Sequence, residues 1–135
     1  MAKILIVDDD PVCCRLLKRW LSRFGPCDVA YNGHEAIGAF RIALEQGAPY
    51  DLVCLDILMP CAHGHRVLDV IRELERQNGI AGSEGVKVVM ITAVADPKHC
   101  IRAFREGCES YITKPLDENH VIEQVTWLLG APAEA

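Results

Sequence analysis

A chain of 135 residues, half of them hydrophobic and 24% charged, has the size and balance of one soluble globular domain. That excludes a disordered or fibrous chain and a second core, so residues 1–130 are expected to form one domain and residues 131–135 a flexible tail. A formal net charge of −5 without a basic stripe speaks against a nucleic-acid partner, and the four-residue apolar run before Asp8 is too short for a signal peptide or a membrane span, which points to the cytoplasm.

In chain order, Ile4–Val7 is a continuous apolar run, the pattern of a parallel strand covered on both faces. Asp10 then caps a helix and Pro11 suits its first turn, with Val12, Leu16, Trp20 and Phe24 falling on one face. A weaker strand is expected near residues 27–31, and Ile37, Phe40 and Leu44 mark a second helix. Leu52–Leu55 predicts a third strand, followed by a helix carrying Val67, Ile71 and Leu74. Residues 78–85, NGIAGSEG, read as a loose glycine-rich connection into a fourth strand at residues 86–91. A less regular helix over about residues 97–106, a weaker strand at 110–112, and a last helix with Val121, Val125 and Leu128 complete the pattern. Strict alternation of strand and helix implies an α/β fold: a five-stranded parallel sheet with helices on both faces.

In such sheets the ligand site lies at the carboxyl ends of the strands. Asp8 and Asp9 follow the first strand, Asp56 the third, Thr92 the fourth, and Lys114 with Pro115 the fifth. Gathered together, three carboxylates repel: two unit charges ~4 Å apart interact by about 4 kcal/mol at an effective dielectric of 20. The cluster therefore calls for a cation, and an all-oxygen set that keeps several waters is typical of Mg²⁺. An ionised aspartate is a nucleophile toward phosphorus once the incoming charge is neutralised, and phosphoryl transfer demands mainly positioning and electrostatic stabilisation. Asp56, flanked by Mg²⁺ and Lys114, meets that description, and the product is an aspartyl phosphate.

The segments ILIVDDD, LDILMP followed by Gly64, the Ile-Thr-Ala around Thr92, and YITKP resemble the receiver domains of bacterial response regulators, including the chemotaxis regulator, across nearly the whole chain. The resemblance implies a flavodoxin-like strand order 2-1-3-4-5. It implies Asp56 as phosphoacceptor, Mg²⁺ bound by Asp9, Asp56 and the backbone carbonyl of Leu58, and Asp8 acting largely through water. Lys114 holds the phosphoryl group, Thr92 donates its hydroxyl to it, and Tyr111 turns toward the space Thr92 vacates. Pro60, Gly64 and Pro115 are the implied loop-shaping and cis-peptide positions. The implied function is a stand-alone signalling phosphoacceptor that catalyses only its own phosphorylation and dephosphorylation. Its implied partners are a histidine kinase or phosphotransfer protein and a downstream protein target reached through the fourth helix, fifth strand and fifth helix. No nucleic acid or membrane is implied, and the protein is expected as a monomer or a weak phosphorylation-dependent dimer.

Two departures stand out. Many receivers carry an acidic residue just before the glycine, whereas here His63 and His65 flank Gly64, and histidine titrates near neutrality. Leu58 and Val94 are apolar where family members often carry groups that orient an attacking water, which predicts slow loss of the phosphoryl group. The five histidines, at 34, 63, 65, 99 and 120, are scattered, most of them surface residues by default, and no metal-ligand spacing joins them. The seven cysteines contain no C-x-x-C pair and read as small buried hydrophobes, with Cys61 beside the acidic loop as a redox alternative.

Competing readings are weaker. Aspartate-dependent phosphatases carry a second aspartate two residues after the nucleophile, where this chain has Leu58. A flavin carrier wants a hydroxyl- and glycine-rich loop where Asp8, Asp9 and Asp10 would repel the phosphate. A phosphorylation-independent binding module has no need of the full acid, threonine and lysine set.

Overall fold

The computed structural model describes residues 1–59, 63–80 and 82–132. Strands β1 (Ile4–Val7), β2 (Cys27–Ala30), β3 (Leu52–Leu55), β4 (Lys87–Thr92) and β5 (Ser110–Thr113) alternate with helices α1 (Pro11–Leu21), α2 (Gly33–Glu45), α3 (Gly64–Gln77), α4 (Pro97–Arg105) and α5 (Glu118–Leu129). All strand pairs are parallel, in the order β2-β1-β3-β4-β5.

The side-chain period of two explains why the central strands are apolar throughout. Leu5, Val7, Val53, Leu55, Val88 and Met90 face one layer, where they pack on Phe40 of α2, on Val67, Leu68 and Ile71 of α3, and on Ala103 of α4. Their neighbours Ile4, Ile6, Leu52, Cys54, Val89 and Ile91 face the other, against Leu17 and Leu21 of α1 and Val121 and Val125 of α5. Each fully buried aliphatic contributes roughly 1.5–3 kcal/mol, so the two cores hold the strand ends rigidly.

Four helices start on a side-chain cap. Asp10, Asn32, Asp96 and Asp117 accept from the backbone N–H groups of Val12, Glu35, Lys98 and His120; such caps contribute about 1 kcal/mol each. The fifth, α3, has no capping side chain at His63. Its entry is fixed instead by the Gly64 N–H, which donates to the Ile57 carbonyl at 2.8 Å.

The face expected for α1 is corrected. Val12 and Leu16 are exposed, and the helix buries Cys13, Cys14, Leu17 and Leu21, with Phe24 beyond its end. Two apolar stripes overlap on this helix, and the thiols decide which faces inward: Cys14 Sγ donates to the Asp8 carbonyl at 3.2 Å. The loose connection at residues 78–85 contains a short 3₁₀ turn, Gly82–Glu84. The fourth strand runs one residue later than expected, so that Thr92 is its last residue.

Candidate functional site

The acidic residues sit where the ladder ends. Asp8 N–H donates to the Ala30 carbonyl at 3.1 Å, Asp56 N–H to Val7 at 3.0 Å and Lys114 N–H to Thr92 at 2.8 Å, so sheet pairing continues one residue past the strands. These bonds bring four strand ends together. Carboxylate oxygens of Asp8, Asp9 and Asp56 all lie within 4.8 Å of one another; Asp8 and Asp56 are buried and Asp9 is exposed.

Lys114 reaches across this cluster. Its Nζ lies 2.7 Å from Asp8 Oδ2 and donates to Asp56 Oδ2 at 3.2 Å. Burial works against its charge, but the contact with Asp8 and the fields of Asp56 and Asp8 outweigh it and hold the ammonium well above the ordinary lysine value. Asp8 Oδ1 accepts from Asp10 N–H at 2.9 Å, and Asp56 Oδ1 from Leu58 N–H at 3.3 Å. Asp8 Oδ2 is buried, and the Lys114 ammonium at 2.7 Å is its one close partner among the described residues. One lysine cannot balance three carboxylates. The leftover negative charge on an all-oxygen set fits a hard, oxygen-liking divalent cation.

Gly64 is a steric requirement: a Cβ there would lie 2.2 Å from the Asp56 carbonyl oxygen and 2.6 Å from Ile57 Cα. Any side chain would push the start of α3 off the loop that carries Asp56. The Lys114–Pro115 peptide is cis. Pro60 and Cys61 lie outside the described residues.

Thr92 is fully buried, and its Oγ1 accepts from Val94 N–H at 3.3 Å. The Val94 carbonyl in turn accepts from the Tyr111 hydroxyl at 2.5 Å. Thr92, Val94 and Tyr111 therefore form one chain of bonds from the end of β4 to β5, a link that spacing along the sequence does not reveal. Leu58 is exposed and Val94 half-buried.

Cys13, Cys14, Cys54 and Cys108 are buried, and the six cysteines of the described residues are all free. Burial pushes Cys13 up to about 12 and Cys14 up to about 11, so these thiols stay protonated and inert at neutral pH.

Among the histidines, His65 departs from the surface position expected of most of them. His65 is completely buried, with Nδ1 2.6 Å from Glu106 Oε1 and Nε2 3.0 Å from His99 Nδ1. Burial, then Arg102 and the neighbouring imidazoles, push His65 down to about 4, while burial and the adjacent Asp69 push Glu106 up to about 7. His99 lies 34 positions from His65 and meets it only because α4 packs beside the start of α3.

Comparison with known proteins agrees with this geometry. The sequence profile described as "Response regulator receiver domain" matches residues 4–126. The Bacillus subtilis transcriptional regulatory protein ResD is 36% identical over 128 residues, which cover 94% of this chain and 48% of that protein. The chain spans about half the length of the curated relatives it matches. A chain from the co-crystal of the Saccharomyces cerevisiae phosphotransfer protein Ypd1 with the receiver domain of Ssk1 superposes with a TM-score of 0.81 at 26% identity, covering 95% of this chain and 88% of that one. One from the Borrelia burgdorferi CheX–CheY–BeF3–Mg complex gives 0.80 at 27% identity, covering 93% and 87%.

Proposed function

The chain belongs to the response-regulator receiver family, and from that premise we propose that Asp56 accepts a phosphoryl group from a histidine kinase or phosphotransfer protein in a Mg²⁺-dependent reaction. The observation that carries this reading is the Lys114 ammonium set between Asp8 and Asp56 in a cluster whose negative charge exceeds its own.

Asp9, Asp56 and the Leu58 carbonyl would hold the ion, with Asp8 acting through water. When bound, a divalent cation neutralises phosphate oxygens and lowers the cost of bringing an anion to an anion. An oxygen of Asp56 attacks phosphorus, the bond from phosphorus to the donor's imidazole nitrogen breaks, and the imidazole leaves with the bonding pair. Lys114 exchanges its bond with Asp56 Oδ2 for one with a phosphoryl oxygen. No separate base is needed, because an ionised carboxylate carries no proton to remove.

The switch follows from the chain of bonds through Thr92. If Thr92 turns its hydroxyl toward the new phosphoryl group, Val94 N–H loses its acceptor. The peptide then shifts and the Tyr111 bond to the Val94 carbonyl is released. Phosphate need only interact better with the released arrangement for the population to move. The affected face is α4, β5 and α5, where exposed Ile101, Phe104 and Trp127 support a role as the protein target's docking surface. Leu58 and Val94 offer no side chain to orient water, so the aspartyl phosphate is expected to be long-lived; a half-life of seconds in Mg²⁺ buffer would contradict this.

The relatives are about twice as long as the matched region, so an output module joined to this receiver accords with them, whereas the stand-alone reading rests on the sequence alone. The mass of the native polypeptide in its own cells decides between them.

The chemical test is incubation of the protein and its Asp56→Ala variant with acetyl phosphate, with and without Mg²⁺, followed by intact mass. A single phosphoryl adduct that requires both Asp56 and Mg²⁺ is expected. A folded, Mg²⁺-binding protein that forms no adduct would favour the phosphorylation-independent binding module.

A further inference from the structure

The strongest feature outside the acid cluster is the group of imidazoles between α3 and α4. His65 is buried, and its Nε2 stands 3.0 Å from Nδ1 of His99. His63 stacks on His65 with ring centroids 5.5 Å apart and planes 11° apart; His99 meets His65 edge to edge, with centroids 5.3 Å apart and planes at 24°. His63 and His99 are 6.4 Å apart. A carboxylate oxygen of Glu106 lies 2.6 Å from the second nitrogen of His65.

We propose that His63, His65 and His99 form a binding site for a borderline transition-metal dication of the Zn²⁺ class, separate from the acid cluster. Three observations support this. First, two imidazole nitrogens bound to one tetrahedral Zn²⁺ at about 2.0–2.1 Å stand roughly 3.3 Å apart, close to the 3.0 Å between His65 and His99; the two nitrogens now face each other in line, so the half-buried His99 ring must turn by roughly 70° for both lone pairs to meet on an ion. Second, a carboxylate on the far nitrogen of a ligating histidine fixes its tautomer and ring orientation, and Glu106 occupies that place for His65. With its proton on Nδ1, His65 directs its Nε2 lone pair toward His99.

Third, the ligands differ in freedom as a closing site requires. His65 is locked by packing and Glu106, while His63 is only half-buried and makes no capping bond to α3; its nitrogens are not within 4.8 Å of both partners, so its ring must turn inward to complete the site. Gly64, pinned against Asp56 and Ile57, holds the two flanking histidines on one short arc. Water takes the fourth position. Imidazole donors favour Zn²⁺, Ni²⁺, Cu²⁺ or Co²⁺ over Mg²⁺, whereas the acid cluster has the opposite preference. The bound ion ties the N-terminal turn of α3 to α4, which borders the proposed output face.

The test uses the full chain, stripped of metal and kept in excess Mg²⁺ to occupy the acid cluster. Co²⁺ is titrated and its d–d absorption recorded, then Zn²⁺ is added as competitor. One Co²⁺ per chain is expected, with tetrahedral d–d bands, no thiolate-to-cobalt charge transfer, and full displacement by Zn²⁺. Glu106→Gln is expected to weaken binding about tenfold, and His99→Gln by about a hundredfold or more. His63→Gln, at a half-buried position and with its fold checked by circular dichroism, is expected to lower the coordination number and the affinity. Absence of d–d bands would overturn the proposal. So would affinity unchanged in His63→Gln and His99→Gln, a thiolate charge-transfer band, or equal loss in Asp9→Asn, which would put the ion among cysteines or acids.

Discussion

Two polar clusters sit at opposite ends of the same sheet, built from nearly the same ingredients. At the carboxyl ends, Asp8, Asp9 and Asp56 share Lys114. At the amino ends of β4 and β5, Glu75 and Glu109 share Arg72. The second cluster is closed: Arg72 donates to Glu75 at 2.7 Å, to the Val86 carbonyl at 2.9 Å, to the Gly107 carbonyl at 2.5 Å and to Glu109 at 2.8 Å. The remaining oxygen of Glu75 accepts from Val86 N–H, and Glu109 also accepts from Val88 N–H. The first cluster is open, with three carboxylates to one ammonium. The planar fork of arginine saturates its neighbours, while the single point charge of lysine leaves valence over for an ion and a phosphoryl group. Burial alone does not separate scaffold from site; unfinished pairing does.

The largest expected effect lies at the closed end. Arg72→Ala strands the buried Glu75 and two carbonyls, and urea unfolding is expected to show a loss of roughly 3–5 kcal/mol. The increment in stability given by Mg²⁺ should survive, because the acid cluster is untouched. Gly64→Ala comes next. Its methyl group would collide with the backbone of Asp56 and Ile57, so about 2 kcal/mol is expected to be lost, together with slower adduct formation from acetyl phosphate. An Ala variant with wild-type stability and wild-type adduct rate would show that the loop absorbs the contact.

Asp56→Asn is predicted to act in the opposite direction from Arg72→Ala. Removing one charge from an overcharged cluster should raise stability in the absence of divalent ions by about 1 kcal/mol. A loss of stability would mean that the open end is balanced after all.

The smallest effect concerns pH. His65, lowered to about 4, contributes stability that is present above its unfolded value of 6.5 and lost as pH falls toward 4. Glu106, raised to about 7, contributes stability present below 4.5 and lost as pH rises through 7. Between about 4.5 and 6.5 the two slopes oppose and nearly cancel. Glu106→Gln removes one of them, so its stability should climb with pH in that window more steeply than wild type, by up to about 1.4 kcal/mol per unit. Parallel profiles for the two proteins would contradict this assignment.

The open cluster was legible in the sequence because its members each follow a strand, and strand ends converge in any parallel sheet. Asp8, Asp9, Asp56 and Lys114 therefore came together from apolar runs alone, with Thr92 closing β4 beside Lys114. The closed cluster was not, since Arg72 and Glu75 look like an ordinary exposed i,i+3 pair until packing buries them. The same holds for His65 and His99, which belong to different helices and whose meeting depends on how α4 lies against α3. The inward face of α1 escaped because Cys13 and Cys14 carry little weight in hydrophobic patterning, although both are almost wholly buried. Helix and strand identity follow from local period; which partners a polar side chain finds does not.

The most direct test of the contrast between the two ends is equilibrium unfolding of the wild-type protein with and without Mg²⁺, alongside Asp9→Asn. Mg²⁺ is expected to stabilise the wild type, by about 1.4 kcal/mol at ten times the dissociation constant, and Asp9→Asn to abolish most of this gain. No stabilisation of the wild type, or an equal gain in Asp9→Asn, would contradict the claim that the carboxyl end of the sheet is left open for a cation.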